Sequence, residues 1–297
     1  MLFFAPDCII ILLRGAMSIL FVINQLSGNS DKVNPQALVR AFPEDKADFF
    51  YIRKPSDTWS PHGYDKIAVC GGDGTLSQAL NLCRGLPVTL YYVPCGTFNE
   101  TAKTHKKGAP MTPKAFIGNI GGRCFSYVAA AGSFTSIGYS VSASAKKKFK
   151  IFAYLAKVVG AYKVHNIPAT LRVGDKTYSD SFTLIMFIDS SRCFGFNFNR
   201  IYKDTSDLYL LTVKSPGKNS LLNKIKIFFP FFRAFFIGFS KPYDSRNMHF
   251  CKISEAELVL SSPRDFCLDG DKVVLDGSLK ISKQPSDVRL YIVKKLK

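Results

Sequence analysis

Val69-Cys70-Gly71-Gly72-Asp73-Gly74-Thr75-Leu76, in one-letter form VCGGDGTL, ends the apolar run IAVC with three glycines gathered around a single carboxylate. A strand that passes through glycines into a helix presents backbone N–H groups at the helix N-terminus, where partial positive charge favours phosphate. Glycine lets the main chain approach a ligand closely and adopt positive φ. Asp73 is the odd member, because a carboxylate beside phosphates repels them. It fits if it binds Mg²⁺ or a water on Mg²⁺, or if it holds the loop. A tight strand–helix turn with an acidic N-cap is the plainer reading. A bare G-G-x-G leaves the two even, and the full GGDGT in this setting favours phosphate.

Working outward, Ser18–Asn24 is an apolar run that ends in a polar loop, Gln25-Leu26-Ser27-Gly28-Asn29-Ser30. Pro35–Ala41 reads as a short helix, Phe49–Ile52 as a second strand and Lys66–Cys70 as a third. Thr75–Cys83 reads as a helix. Val88–Val93 is a fourth strand, running into Pro94-Cys95-Gly96-Thr97-Phe98-Asn99-Glu100 and another helix. Strand, loop and helix in repeated order predict a mostly parallel sheet covered on both faces. The character changes near residue 115. GRCFSYVAAAG, ATLRVGDKTY, SFTLIMFIDS, DLYLLTVKS, AELVLSS and DFCLDGDKVV read as strands separated by glycine and polar turns, as in an antiparallel sandwich. Helical insertions are expected at 145–159 and 219–239. The expected fold class is thus α/β plus all-β: a three-layer α/β nucleotide-binding lobe over 17–114 and an antiparallel β-sandwich lobe with helical insertions over 115–297. The last strand, 288–293, is a candidate to return to the first lobe. Residues 1–16 read as a start-site artefact or an appendage.

The 297 residues carry 40 Lys+Arg against 22 Asp+Glu, a formal +18, which suits polyanionic partners: nucleic acid, an anionic membrane face or phosphorylated ligands. Eight cysteines are scattered without a C-x-x-C pair, several inside apolar runs, as expected of buried free thiols in a reducing cytoplasm. The four histidines show no metal-ligand spacing.

GGDGT, preceded by Asn24-Gln25-Leu26-Ser27-Gly28 and followed by Pro94-Cys95-Gly96-Thr97-Phe98-Asn99-Glu100, resembles the diacylglycerol kinase catalytic family, which includes bacterial lipid kinases and the sphingosine and ceramide kinases. Its pattern is N-P-x-S-G, then G-G-D-G-T-L-N-E, then P-x-G-T-x-N-D. AAAGSFTSIGYSVSASAKKKFKIFAYLAKVV is similar to the start of the family's second domain, and CLDGDK to its D-G-E loop. The resemblance implies an NAD kinase-like nucleotide lobe, ATP and Mg²⁺ as cofactors, and transfer of the γ-phosphate to a membrane lipid, diacylglycerol first. It places Asn24, Gln25, Leu26, Ser27 and Gly28 near the nucleotide. It puts Gly71, Gly72, Asp73, Gly74, Thr75, Leu76 and Gln78 around the phosphates, and adds Gly96, Thr97 and Asn99. Asp269 and Asp271 match the two acids associated with deprotonating the lipid hydroxyl. Read without the resemblance, Asp269-Gly270-Asp271 is an ordinary hairpin turn. The metal candidates are Asp73 and, in the second domain, Asp204 or Asp207, where the family's D-G is missing. Gln25 replaces a proline, Ser77-Gln78 replaces N-E, Glu100 an aspartate and Asp271 a glutamate with one methylene more reach.

Leu221–Phe239 carries seven phenylalanines interleaved and flanked by Lys218, Lys224, Lys226, Arg233 and Lys241. Such an element suits peripheral contact with an anionic membrane at the inner face of a cytoplasmic bilayer, and Lys146–Lys150 adds a second basic cluster. The alternative is that the phenylalanines face the sandwich core. Pro230 is expected to kink or split the helix. A homodimer stays open, and no nucleic-acid motif is present. The competing functions are an NAD kinase, which also uses GGDGT, and a nucleotide-binding regulatory protein without turnover.

Overall fold

The computed structural model describes residues 17–105, 110–133, 135 and 162–293. The expectations for 1–16, for a helix over 145–159 and for the basic cluster Lys146–Lys150 lie outside the described residues.

The first part runs β1 (Ser18–Asn24), α1 (Pro35–Ala41), β2 (Lys46–Ile52), β3 (Lys66–Gly71), α2 (Asp73–Leu82), β4 (Thr89–Pro94) and α3 (Glu100–Thr104). The four strands are parallel in the order β2-β1-β3-β4. Continuous apolar runs form them because both faces are covered. In β1, Ile19, Phe21 and Ile23 pack toward Leu38 of α1, while Leu20 and Val22 pack toward Leu76, Ala79 and Leu80 of α2. Asn34 caps α1 by accepting from the amides of Gln36 and Ala37, and Pro35 follows at the first helical position.

Antiparallel strands dominate the rest. β5 (Met111–Ile120), β6 (Arg123–Phe125) and β7 (Val128–Gly132) lead to β8 (Ile167–Val173) and β9 (Lys176–Ile188). A small hairpin, β10 (Arg192–Cys193) and β11 (Phe196–Asn197), precedes β12 (Leu208–Lys214) and the helix α4 (Leu221–Phe232). The chain closes with β13 (Tyr243–Asp244), β14 (Met248–Ile253), β15 (Glu255–Leu260), β16 (Arg264–Leu268), β17 (Asp271–Leu275) and β18 (Ser278–Val293). All but the β10–β11 pair join one mixed sheet. β18 links its two kinds of pairing. Ser278–Ser282 is antiparallel to β15, whereas Arg289–Ile292 is parallel to β4. β5 lies along the other edge of β18 through both halves. The change of character near residue 115 therefore falls inside one strand, β5.

Alternate residues of β9 supply two cores. Ile185 and Phe187 face the large cluster built from β7, β8, β15, β16 and β18, and Leu184, Met186 and Ile188 face the cluster that α4 covers. The phenylalanines of 221–239 divide accordingly. Phe231, Phe235 and Phe239 are buried in that second core, while Phe228, Phe229, Phe232 and Phe236 are exposed. Replacing Phe235 would thus perturb the core rather than a surface. Pro230 sits inside α4 without splitting it, and the helix changes to a π turn over Arg233–Ile237. The carbonyl deprived of its partner by Pro230 belongs to Lys226, an exposed residue that water can satisfy. Among the described residues, every cysteine is free, and no helix is long and apolar enough to cross a membrane.

Candidate functional site: a glycine-lined anion cradle beside an acidic turn

Four loops meet at the C-terminal ends of β1, β3 and β4. Gly72 is the N-cap of α2, with φ −91° and ψ −175°, and offers no side-chain oxygen to the first amides of the helix. Those amides are left for an anion. A Cβ on Gly96 would come within 2.5 Å of the Gly72 Cα, so the second and third loops touch through backbone alone. A Cβ on Gly71 would meet the Thr75 side chain at 2.5 Å, and one on Gly28 would meet the Thr97 Oγ1 at 2.6 Å. These glycines are therefore required by close approach. Asn24 donates its side-chain amide to the Thr75 hydroxyl at 2.8 Å and accepts from the Leu26 amide, which fixes the first loop against the second. Asn29, two residues beyond the first motif's Ser27, reaches the Gly96 carbonyl at 2.7 Å. Thr97 adds a polar group open to a ligand: its Oγ1 is buried and has no hydrogen-bond partner among the described residues.

Asp73 does not face this cradle. Its carboxylate is buried and accepts from the amides of Glu100 at 2.9 Å and Thr101 at 3.0 Å, so it caps α3 from across the site. Burial pushes its carboxyl above the ordinary value, and these two amides oppose the shift. The geometry supplies the loop-holding role. Glu100, next in the polar chain, is fully buried, and its carboxylate accepts from Arg192 Nε at 3.2 Å and from the Gly195 amide. The β10–β11 hairpin is thereby tied to α3. Thr101 pairs its hydroxyl with that of Ser126 at 2.8 Å.

Asp269 and Gly270 form the two-residue turn between β16 and β17, with φ of +53° and +106° and Leu268 opposite Asp271. The hairpin reading therefore holds. The turn points the Asp269 carboxylate inward, where it accepts from the amides of Ser126, Tyr127 (2.9 Å) and Val128 (3.0 Å). Burial pushes its carboxyl up to about 7, against the pull of those amides, and the nearby Asp73 charge adds a smaller push in the same direction. Asp271, at the start of β17, is partly exposed. Its Oδ1 lies 3.2 Å from the Cβ position of Gly74, so the acidic turn abuts the first turn of α2.

Several expected site residues are engaged with other parts of the protein. Leu76 is wholly buried in the α/β core, and Gln78 is exposed on α2. Gln25 is also exposed, and its amide donates to the Ile52 carbonyl. Asn99 bonds within its own turn, to the Gly96 amide at 2.7 Å and the Gly96 carbonyl at 3.1 Å. The two metal candidates of the second half have ammonium partners. Asp207 pairs with Lys252 at 2.6 Å, and Asp204 lies 3.0 Å from Lys283 Nζ and 4.0 Å from Lys114 Nζ. Both lysines are fully buried and converge on Asp189, at 2.6 and 2.8 Å. Among the described residues, no group of three or more His, Cys, Asp or Glu side chains is placed to hold a metal ion. Sequence reasoning missed Arg192, Ser126 and the Lys114–Asp189–Lys283 cluster. Only Asp189 carried a signal, as a carboxylate closing the apolar run FTLIMFI.

Fold and site together define an α/β protein whose glycine-bearing loops, at the ends of a parallel sheet, meet an antiparallel hairpin turn. Residues 18–123 match the family described as diacylglycerol kinase catalytic domain, so the resemblance carried by the motifs is borne out over that segment. No curated protein matches the sequence. Among solved structures, a diacylglycerol kinase from Bacillus anthracis str. Sterne has a TM-score of 0.61 at 18% identity, covering 94% of this chain and 97% of that one. A second structure from the same organism, provisionally named a diacylglycerol kinase, has a TM-score of 0.66 at 17% identity over the same shares. At these identities the likeness is one of fold.

Proposed function

We propose that the protein is an ATP-dependent lipid kinase that transfers the γ-phosphate to the hydroxyl of a membrane lipid, with diacylglycerol as the first candidate and phosphatidic acid as product. The observation that carries the reading is the contact of the acidic turn with the phosphate-binding turn, Asp271 against Gly74. A kinase needs an acid at that place, since an alcohol nucleophile must lose its proton as the phosphoryl group arrives. ATP fits the cradle: the uncapped start of α2 suits its phosphates, and the orphaned Thr97 hydroxyl supplies a donor or acceptor. Mg²⁺ travels on the phosphates and lowers the charge on the transferred group, needing one or two carboxylates at most. Asp271 is partly exposed and lies against α2, which supports a role for it in taking the proton. Asp269, engaged by three amides, holds the turn that carries it.

The test is transfer of labelled γ-phosphate from ATP with Mg²⁺ to diacylglycerol in mixed micelles and, in parallel, to NAD. Labelled phosphatidic acid that disappears with Asp271→Asn supports the proposal. Labelled NADP, or no lipid product from a folded protein that binds ATP, overturns it for diacylglycerol.

A further inference from the structure

α4 and the π turn after it have two opposite faces. Ile227, Phe231, Ala234 and Phe235 are buried against β9, β12 and β14. On the other side Leu221, Ile225, Phe228, Phe229, Phe232 and Phe236 are between 42% and 75% exposed. At the α-helical repeat these six fall within a stripe of about 100°. Phe228, Phe232 and Phe236 stack in succession, with ring centroids 5.8 and 5.2 Å apart, so the stripe is an unbroken aromatic row. A continuous apolar surface of this kind marks a site of interaction rather than a chance exposure.

Charge decides the occupant. From Leu208 to Tyr243 the sequence holds six Lys or Arg and no Asp or Glu. Lys226 and Lys241 are exposed beside the row, and Lys218 stands before it. A second copy of the chain would set one basic border against another, in a protein of formal charge +18. An anionic lipid surface accepts both components at once: phenylalanine rings enter the acyl boundary and the ammonium groups meet the headgroup phosphates. We propose that the exposed face of α4 docks the protein on anionic bilayers. The row is also continuous with the candidate site. Phe236 lies 5.0 Å from Phe196 of the β10–β11 hairpin, and Gly195 of that hairpin lies against Phe98, beside Thr97. A bilayer seated on α4 therefore reaches the flank of the nucleotide cradle. Docking needs no phosphoryl transfer, so it stands or falls apart from the kinase reading.

The experiment is co-sedimentation of the full chain with vesicles of phosphatidylglycerol and phosphatidylcholine, against vesicles of phosphatidylcholine alone. Binding to the anionic vesicles is expected, weakening as salt rises. Leu222→Ser with Phe229→Ser changes two side chains that are 72% and 67% exposed, and should weaken binding at least tenfold. Lys224→Glu with Lys226→Glu should weaken it by about fivefold per charge or more. An unchanged melting temperature and an unchanged affinity for ATP in both variants locate the loss at the surface. The proposal is overturned if the unaltered protein ignores anionic vesicles or if both variants bind as it does. It is equally overturned if sedimentation velocity finds a dimer that the Leu222/Phe229 pair dissolves, since the face is then a contact between copies.

Discussion

Gly72 and Gly96 face each other across the cradle, yet the structure makes them unequal. A methyl group on Gly96 would lie 2.5 Å from the Gly72 Cα, 2.7 Å from the Asn99 Oδ1 and 3.2 Å from the Gly72 nitrogen. Two of these neighbours are backbone atoms, and carbon atoms rest about 3.5–4.0 Å apart, so Gly96→Ala must part the loops by roughly 1 Å. A methyl group on Gly72 would meet nothing nearer than 3.4 Å, at a φ of −91° that alanine adopts freely. Overpacking of the Gly96 kind costs about 1–3 kcal/mol, which lowers the melting temperature by roughly 2–10 °C in a chain of this size. If the displaced loop loses one charge-assisted bond to phosphate, worth about 1.5–3 kcal/mol, ATP binding weakens by roughly 10- to 150-fold. Gly72→Ala should shift either quantity by less than about 0.5 kcal/mol. Equilibrium dialysis with labelled ATP and a thermal melt read both effects on the same preparations. Equal damage from the two substitutions, or undiminished ATP binding by Gly96→Ala, refutes the arrangement of the loops.

Thr97→Val removes a buried hydroxyl that has no protein partner, so the ligand-free protein should keep or gain stability while ATP binds roughly five- to tenfold more weakly. A parallel fall in ligand-free stability would show that the hydroxyl serves the fold. Asp73→Ala deprives α3 of two buried acceptors and should lower the stability of the protein by about 2–3 kcal/mol in the absence of metal and nucleotide. A metal ligand with no other duty would leave that measurement unchanged. Asp269 has its carboxyl raised from 3.8 to about 7, so the stability it contributes is fully present below pH 3.8 and is lost as pH rises through 7. Urea unfolding of the unaltered protein should therefore lose about 2.5 kcal/mol relative to Asp269→Asn between pH 5 and pH 8. A constant difference between the two over that range contradicts the shift.

The parallel sheet was legible because its signals are local. IAVC, ILFVI and LYYV are apolar on both faces, and each ends in glycine, asparagine or proline where a turn must form. β2 begins at Lys46 rather than Phe49, because its first residues, KAD, pair with the buried β1 while keeping an exposed edge. The three glycine-bearing loops could be read for the same reason, since close backbone approach excludes other residues. The direction of Asp73 could not. A carboxylate at the end of β3 can turn toward the glycine loops or away to α3, and only the position of α3, set by its bonds to Ser126 and to the β10–β11 hairpin, decides. The burial of Lys114 and Lys283 was hidden too. Each occupies a position in an alternating strand that reads as solvent-facing until β5 and β18 are laid side by side over Asp189. The sequence leaves the phenylalanine segment open between a membrane-facing and a core-facing role, and the helix has one buried and one exposed apolar face.

The double allegiance of β18 has a consequence for how the chain is made. Arg289 pairs with Thr89, two hundred positions earlier, so the edge of β4 stays open while almost everything after it is synthesised. Throughout that interval the growing chain carries an unpaired parallel edge of the type that recruits foreign strands. Pairing this remote is also slow to form, because loop closure precedes any gain from contact. The first hundred residues released alone would keep that edge permanently. A fragment ending before β5 should accumulate as aggregate, and supplying the 278–293 segment on a short linker after β4 should return it to solution.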